Sequence, residues 1–188
     1  MREMRRWTFS MGILVLLLVA MLGSSPVLAA QGKLKIGITQ IVEHPALDAA
    51  KQGFIDELAA FGYDESKVVY DMQNAQGDFA TAQAIAEKFV SGSVDLILAI
   101  ATPTAQATAN VTQTIPILIT AVTDPVAAGL VESIERPGTN VTGTSDLTPV
   151  AKQLELLKAI RPETKRVGVL YNPGEANSVV QLELARDA

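Results

Sequence analysis

The sequence predicts an α/β protein, a doubly wound parallel sheet forming one lobe, followed by an incomplete second α/β lobe. Three observations carry this. From Lys33 onward, short apolar runs rich in Val and Ile alternate with longer segments of helical period. The strand-like runs do not alternate apolar with polar residues, as expected for parallel strands covered on both faces and joined by right-handed crossovers. The rhythm then breaks at a Gly- and Pro-marked stretch and restarts, with too few elements left to cover a second sheet.

The elements follow in order. "KLKIGIT" reads as the first strand, and "ALDAAKQGFIDELAAFG" as a helix with Leu47, Ala50, Phe54, Leu58 and Phe61 on one face and Gly62 as its stop. "KVVYDMQ" and "FATAQAIAEKFVSG" form the next pair, with Gly77-Asp78 as turn and cap. "VDLILAIA" with "TPTAQATANV" is the third pair, and "IPILITAV" is a fourth strand leading into "DPVAAGLVESI". "ERPGTNVTGTS" contains another strand. "PVAKQLELLKAI" is a helix, "RPETKRVGVLYN" a loop and a strand, and "PGEANSVVQLELARDA" opens a last helix.

Ahead of these elements, Met1 to Ala29 reads as a secretory signal. Arg2, Arg5 and Arg6 begin it, "MGILVLLLVAML" is its apolar stretch, and "VLA" before Ala30 is its cleavage site. The competing reading, an uncleaved anchor, is weakened because the stretch is broken by "GSSP" and is short against a span of about 20 residues. Removal deletes three Arg and one Glu, leaving 12 basic against 19 acidic side chains, so the charge falls from −5 to −7. Such a chain does not attract phosphate backbones, which argues against nucleic acid as a partner. With no cysteine, there is neither a disulfide nor a thiol for a lipid anchor.

Ligands of open α/β sheets bind at the carboxyl edge of the strands, so the turns there are the informative residues. They read "TQIVEHP", "QNAQGD", "ATPT" and "VTDP". Thr102 before Pro103 and Asp124 before Pro125 have the form of helix starts, in which a side-chain oxygen takes an orphan amide. Alternatively the free amides and positive helix end meet a ligand carboxylate, with Thr102 or Thr123 adding a hydroxyl. Glu43, Asp124 and Asp146 are carboxylates suited to a ligand ammonium or to plain solvation. His44, the single histidine, reads as a surface or capping residue rather than part of a metal site or a relay, for which it has no second histidine. Asn172-Pro173-Gly174 is a turn, after which Asn177 or Ser178 caps the last helix or faces a ligand.

Signals for chemistry are missing. No Gly-x-Gly-x-x-Gly follows the first strand, no Gly-rich loop with Lys is present, and "GTSDL" lacks the second glycine of a nucleophile elbow. The chain therefore reads as a binder that is not an enzyme and needs no cofactor or metal.

The stretches "ITQIVEHPALDAAKQGFIDEL", "NAQGD", "TAQAIAEKFV", "DLILAIATPTAQA", "IPILITAVTDPVAAGLV", "PGTNVTGTSD" and "YNPGEANS", running from Lys35 to Ser178, resemble the substrate-binding proteins of bacterial ABC transporters, of the type that takes up tryptophan and other aromatic amino acids. The resemblance implies a periplasmic-binding-protein-like fold of two lobes closing on a small ligand, which is passed to an ABC permease and so to its ATPase, a role that a monomer suits. Residues 33–145 would be the first lobe and 146–188 the hinge and the start of the second. Thr39 and Gln40, Ala101 and Thr102, and Thr123 and Asp124 would line the first lobe's side. Asp146, where the chain crosses over, would take the ammonium, and Asn172, Asn177 and Ser178 would face the ligand from beyond. Such proteins normally continue well past "YNPGEANS". A sensor of the same fold, anchored at the membrane and signalling to a partner, is the alternative.

Overall fold

A computed structural model describes residues 32–188; the expected signal segment lies outside them. Five strands form one parallel sheet: β1 (Leu34–Gln40), β2 (Val68–Asn74), β3 (Leu96–Ile100), β4 (Ile117–Val122) and β5 (Val141–Ser145). Their order across the sheet is β2-β1-β3-β4-β5. Helices α1 (Pro45–Ala60), α2 (Phe79–Ser91) and α3 (Thr102–Val111) make the crossovers, and α4 (Val150–Ile160) and α5 (Ala176–Asp187) follow β5. Because the chain goes one way from β1 to β2 and then crosses back to β3, right-handed crossovers put α1 on one face and α2 with α3 on the other.

Each face has its own core. On the α1 side, Ile36, Ile38, Val68, Leu98 and Ile100 pack under Leu47, Phe54, Ile55 and Leu58. On the other, Ile97, Ala99, Ile117, Ile119 and Val122 pack with Ala82, Ile85 and Phe89 of α2 and with Ala105 and Ala107 of α3. Gly37 of β1 makes room for Phe89: a Cβ there would sit 2.7 Å from the ring. The expected apolar face of α1 holds for Leu47, Phe54 and Leu58, but Phe61 is 74% exposed because it sits beyond the last turn as the C-cap. Gly62, at φ +84, donates to Ala59 O and Tyr63 donates to Leu58 O, which closes the helix at the expected stop.

Asp78 caps α2 as expected. Its Oδ1 accepts from Thr81 N at 2.6 Å and from Thr81 Oγ1 at 2.7 Å, and these bonds hold its carboxyl below the ordinary carboxylate range. A folded-state pKa lowered in this way contributes stability above the unfolded pKa, and that contribution is lost as pH falls through the folded one. Asp78→Ser keeps the cap and removes the titrating group. We expect the variant to melt near the wild type at neutral pH and to lose less melting temperature on acidification below about pH 4, measured by circular dichroism melts across pH.

Two expected elements differ. The stretch after β4 is a run of turns over residues 125–129 with no α-helix. Asp124 Oδ1 accepts from Val126 N at 3.0 Å and Ala127 N at 2.9 Å, an Asx-type turn, and Gly129 at φ +72 ends it. The strand expected in "RVGVLYN" is also not formed. Residues 165–172 have no ladder partner, and Val167, Val169, Leu170 and Tyr171 are about half exposed or more. A strand exists only through its neighbours, and no other strand of the described residues lies beside this one.

Candidate functional site

The chain reverses its winding direction between β1 and β3, so the carboxyl ends of these two neighbours form the topological switch point where open α/β sheets bind ligands. β1 ends in Thr39-Gln40, which pair in register with Ala99 and Ile100 of β3. Only Ala101 separates β3 from α3. A one-residue connection forces a sharp reversal, and Ala101 takes φ 85, ψ 154, a region that residues with a Cβ rarely occupy. Its N–H donates to Thr120 O and its carbonyl accepts from Ala105 N, so both neighbouring elements hold it there.

The first turn of α3 is left without a cap: Ala101 has no side-chain acceptor to offer. Thr102 is not the cap that the sequence suggested. It sits inside the first turn, 2% exposed, and its Oγ1 has no partner. Thr39 is fully buried at the end of the adjacent strand, and its Oγ1 has no partner either. Thr104, two residues on, is satisfied, donating to Ile100 O at 2.7 Å. An unpaired buried hydroxyl costs about 1–3 kcal/mol. The two that bear this cost lie at the switch point, beside amides that no side chain caps.

Gln40 has a different task. Although 2% exposed, its Nε2 donates to Val42 O at 2.6 Å and Asp48 Oδ1 at 3.1 Å, while Oε1 accepts from Lys51 Nζ at 3.3 Å. Its amide is thus engaged in shaping the β1–α1 loop. Lys51 and then Gln40 hold Asp48 below the ordinary carboxylate range. His44 caps α1 as expected, its Nδ1 accepting from Ala46 N at 3.2 Å. Glu43 is exposed in this loop.

Thr123 is buried just past β4, its carbonyl accepting from Ser145 Oγ at 2.7 Å. A β-bulge puts it there. Between the pairs Ile119↔Gly143 and Val122↔Ser145, β4 carries one more residue than β5, with Ala121 at φ 54. The insertion reverses the alternation, so Ile119 and Val122 face the same core. Asp146, next after β5, is exposed, and its N–H donates to Val122 O at 3.0 Å.

The loop before α5 is tied by its own side chains. Ser178 Oγ accepts from Asn172 N at 2.8 Å, Asn172 Oδ1 accepts from Gly174 N, and Asn172 Nδ2 donates to Glu175 Oε1 at 2.9 Å. Asn177 Oδ1, by contrast, is buried without a partner. Of the side-chain atoms in that condition among the described residues, all three belong to residues singled out from the sequence: Thr39, Thr102 and Asn177.

A cavity of about 380 Å³ opens on the α2 and α3 side of this edge. Ile41 and Phe79 wall it with Pro103, Gln106 and Asn110 of α3, the turn Ala128 to Leu130, and Asn172, Gly174 and Glu175 from the segment before α5. Thr39 and Thr102 are not in its lining, but Ile41 follows the end of β1 directly and Pro103 follows Thr102. Phe79, Gln106, Asn110 and Glu175 escaped the sequence reading. Phe79 follows the cap Asp78, and Glu175 stands within "YNPGEANS", so proximity to an expected turn was the signal available for both.

The segment beyond β5 that lines this cavity thus reaches the carboxyl edge of the first sheet. The chain belongs to the ABC transporter substrate binding protein family, whose model matches residues 35–188. It is 56% identical over 153 residues to the tyrosine-binding protein of Clostridioides difficile strain R20291, covering 81% of this chain and 44% of that one. A conserved domain protein of Vibrio cholerae superposes with TM-score 0.80 at 54% identity, over 82% of this chain and 52% of the other. An ABC domain from Streptococcus pneumonia in complex with L-Trp superposes with TM-score 0.80 at 40% identity, over 83% and 53%. The chain thus spans about half the length of these relatives. The family consists of solute-binding proteins rather than enzymes, and the fold is periplasmic-binding-protein-like as expected. Among the described residues no helix is long and apolar enough to cross a membrane.

Proposed function

We propose that this protein is the extracytoplasmic solute-binding component of an ABC importer and holds an aromatic amino acid between two lobes that close on it. Residues 33–145 form the first lobe, 146–188 the hinge and the beginning of the second, and residues 1–29 direct export to the periplasm. The protein acts as a monomer and delivers its ligand to a permease that is driven by an ATPase.

The observation that carries this reading is the pair of buried, unpartnered hydroxyls of Thr39 and Thr102 beside the uncapped start of α3. Such a site suits a ligand carboxylate: the first-turn amides donate, the helix dipole favours negative charge, and the two hydroxyls, which have no accessible surface here and lie outside the cavity lining, would donate once ligand entry opens the edge to them. In this reading Thr123 and Asp124 contribute from the first lobe, and Asn177, with Asn172 and Ser178 shaping its loop, from the second segment. Contacts from both segments at once would make the ligand favour the closed state, and that differential affinity sets the shift in population. Relatives that bind tyrosine and L-Trp support an aromatic amino acid as the ligand.

The test is a thermal-shift screen of the amino acids against the full-length protein, paired with small-angle scattering. L-Tyrosine or L-tryptophan at 100 times its dissociation constant is expected to add about 2.7 kcal/mol of stability and to reduce the radius of gyration. A cooperative melt that no amino acid moves would remove the ligand, and a shift without compaction would remove the closure.

A further inference from the structure

Resting on that reading, we propose that Glu175 receives the ammonium group of the ligand, the role for which the sequence suggested Asp146. A zwitterion placed with its carboxylate at a helix start needs an acceptor for its cationic end near that start, and the cavity that reaches Pro103, the residue after Thr102, borders it. The acidic side chains near the sheet edge differ in whether they meet that need. Glu43 and Asp146 are exposed and lie outside the lining of the cavity. Asp124 already accepts two amides in its turn. Glu175 is half-buried and is the acidic residue among those lining the cavity, which it shares with Pro103 and Gln106 of α3.

Its carboxylate is also available. Glu175 stands at the N-cap of α5 without capping it. Oε1 accepts from Asn172 Nδ2 at 2.9 Å, which orients the group and leaves Oε2 open. Among the described residues no Lys or Arg pairs with it. A half-buried carboxylate without a counter-ion gains most from a cation that arrives with the ligand. The position has a mechanical consequence as well. The ligand would pair its carboxylate with the first lobe and its ammonium with the segment that opens the second, so neither lobe alone could hold both ends.

The experiment compares each amino acid with its analogue lacking the ammonium, by calorimetry on the full-length protein: L-tyrosine against 3-(4-hydroxyphenyl)propionate, and L-tryptophan against indole-3-propionate. Glu175→Gln is expected to weaken the amino acid at least tenfold and to leave the affinity of the analogue unchanged or improved. Glu175→Asp, which keeps the charge, is expected to retain a preference for the amino acid. An equal loss for both members of a pair would make Glu175 structural and overturn the assignment, as would full retention in Glu175→Gln or a selective loss in Asp146→Asn instead. Wild-type protein that binds neither member of either pair overturns the proposed function, and this assignment falls with it.

Discussion

Gly143→Ala is expected to destabilise the first lobe by about 3 kcal/mol, from backbone strain together with the loss of one strand pairing. Gly143 sits in β5 at φ +149, and a Cβ built there would lie 2.1 Å from the carbonyl oxygen of Ile119 and 2.7 Å from its nitrogen. Both obstacles are backbone atoms of the paired residue, so no rotamer change relieves the overlap. The ladder must open where β5 meets its partner β4. Val141, now 2% exposed, loses cover, and the anchors beyond it, Ser145 Oγ to Thr123 O and Asp146 N to Val122 O, lose their register. At about 2–4 °C per kcal/mol for a domain of this size, the melting temperature should fall by about 6–12 °C. Gly53→Ala is the matching control. It lies in α1 with nothing within 4 Å of the added methyl, and alanine there should raise stability by about 0.5–1 kcal/mol. Equal melting of Gly143→Ala and wild type would mean that β5 does not pair with β4 as described.

Most of the lobe was legible because its signals are local. Val- and Ile-rich runs, helical spacing, Asp78 as a cap and Gly62 as a stop all act within a few residues, and each appears where expected. What escaped depends on neighbours distant in sequence. "RVGVLYN" has the composition of a strand, but composition does not provide the adjoining strand that would complete its hydrogen bonds. The extra residue in β4 shows only against the register of β5, and "IPILITAV" gives no hint of it. "DPVAAGLVESI" opens like a helix, yet Asp124 closes a tight turn that Gly129 ends.

The site was legible at the level of which turns matter and much less in what each residue does. Thr102 was read as a cap because threonine before proline suits that position. Strand β3 instead ends one residue earlier, at Ile100, and the hydroxyl is carried into the first turn, where it bonds to nothing. Gln40, expected to line the ligand, has its amide engaged with Val42, Asp48 and Lys51. Whether a polar group is free or satisfied depends on packing in three dimensions, and the order of residues along the chain does not encode it directly.

Replacing both orphaned hydroxyls with methyl groups of the same shape should therefore stabilise the empty protein and impair the liganded one. In Thr39→Val with Thr102→Val, each site exchanges an unpaired buried hydroxyl, which costs about 1–3 kcal/mol, for an apolar group that packs without penalty. Valine is favoured at a strand end and tolerated in a first helical turn, so neither backbone is disturbed. The gain in the empty state should be about 2 kcal/mol over the pair, or a rise of about 4–8 °C at the sensitivity given above. The same hydroxyls are the donors assigned to the ligand carboxylate. Losing two hydrogen bonds to a charged group, at about 1.5–3 kcal/mol each, should weaken L-tyrosine or L-tryptophan by a hundredfold or more. Melting curves with and without ligand read both effects on one sample: the empty protein moves up, and the increment added by ligand shrinks. A purely structural role for these threonines would shift the empty protein and leave the increment intact. A fall in the empty protein's stability would mean that the hydroxyls are satisfied in solution, and the site would have to be sought elsewhere on the same edge.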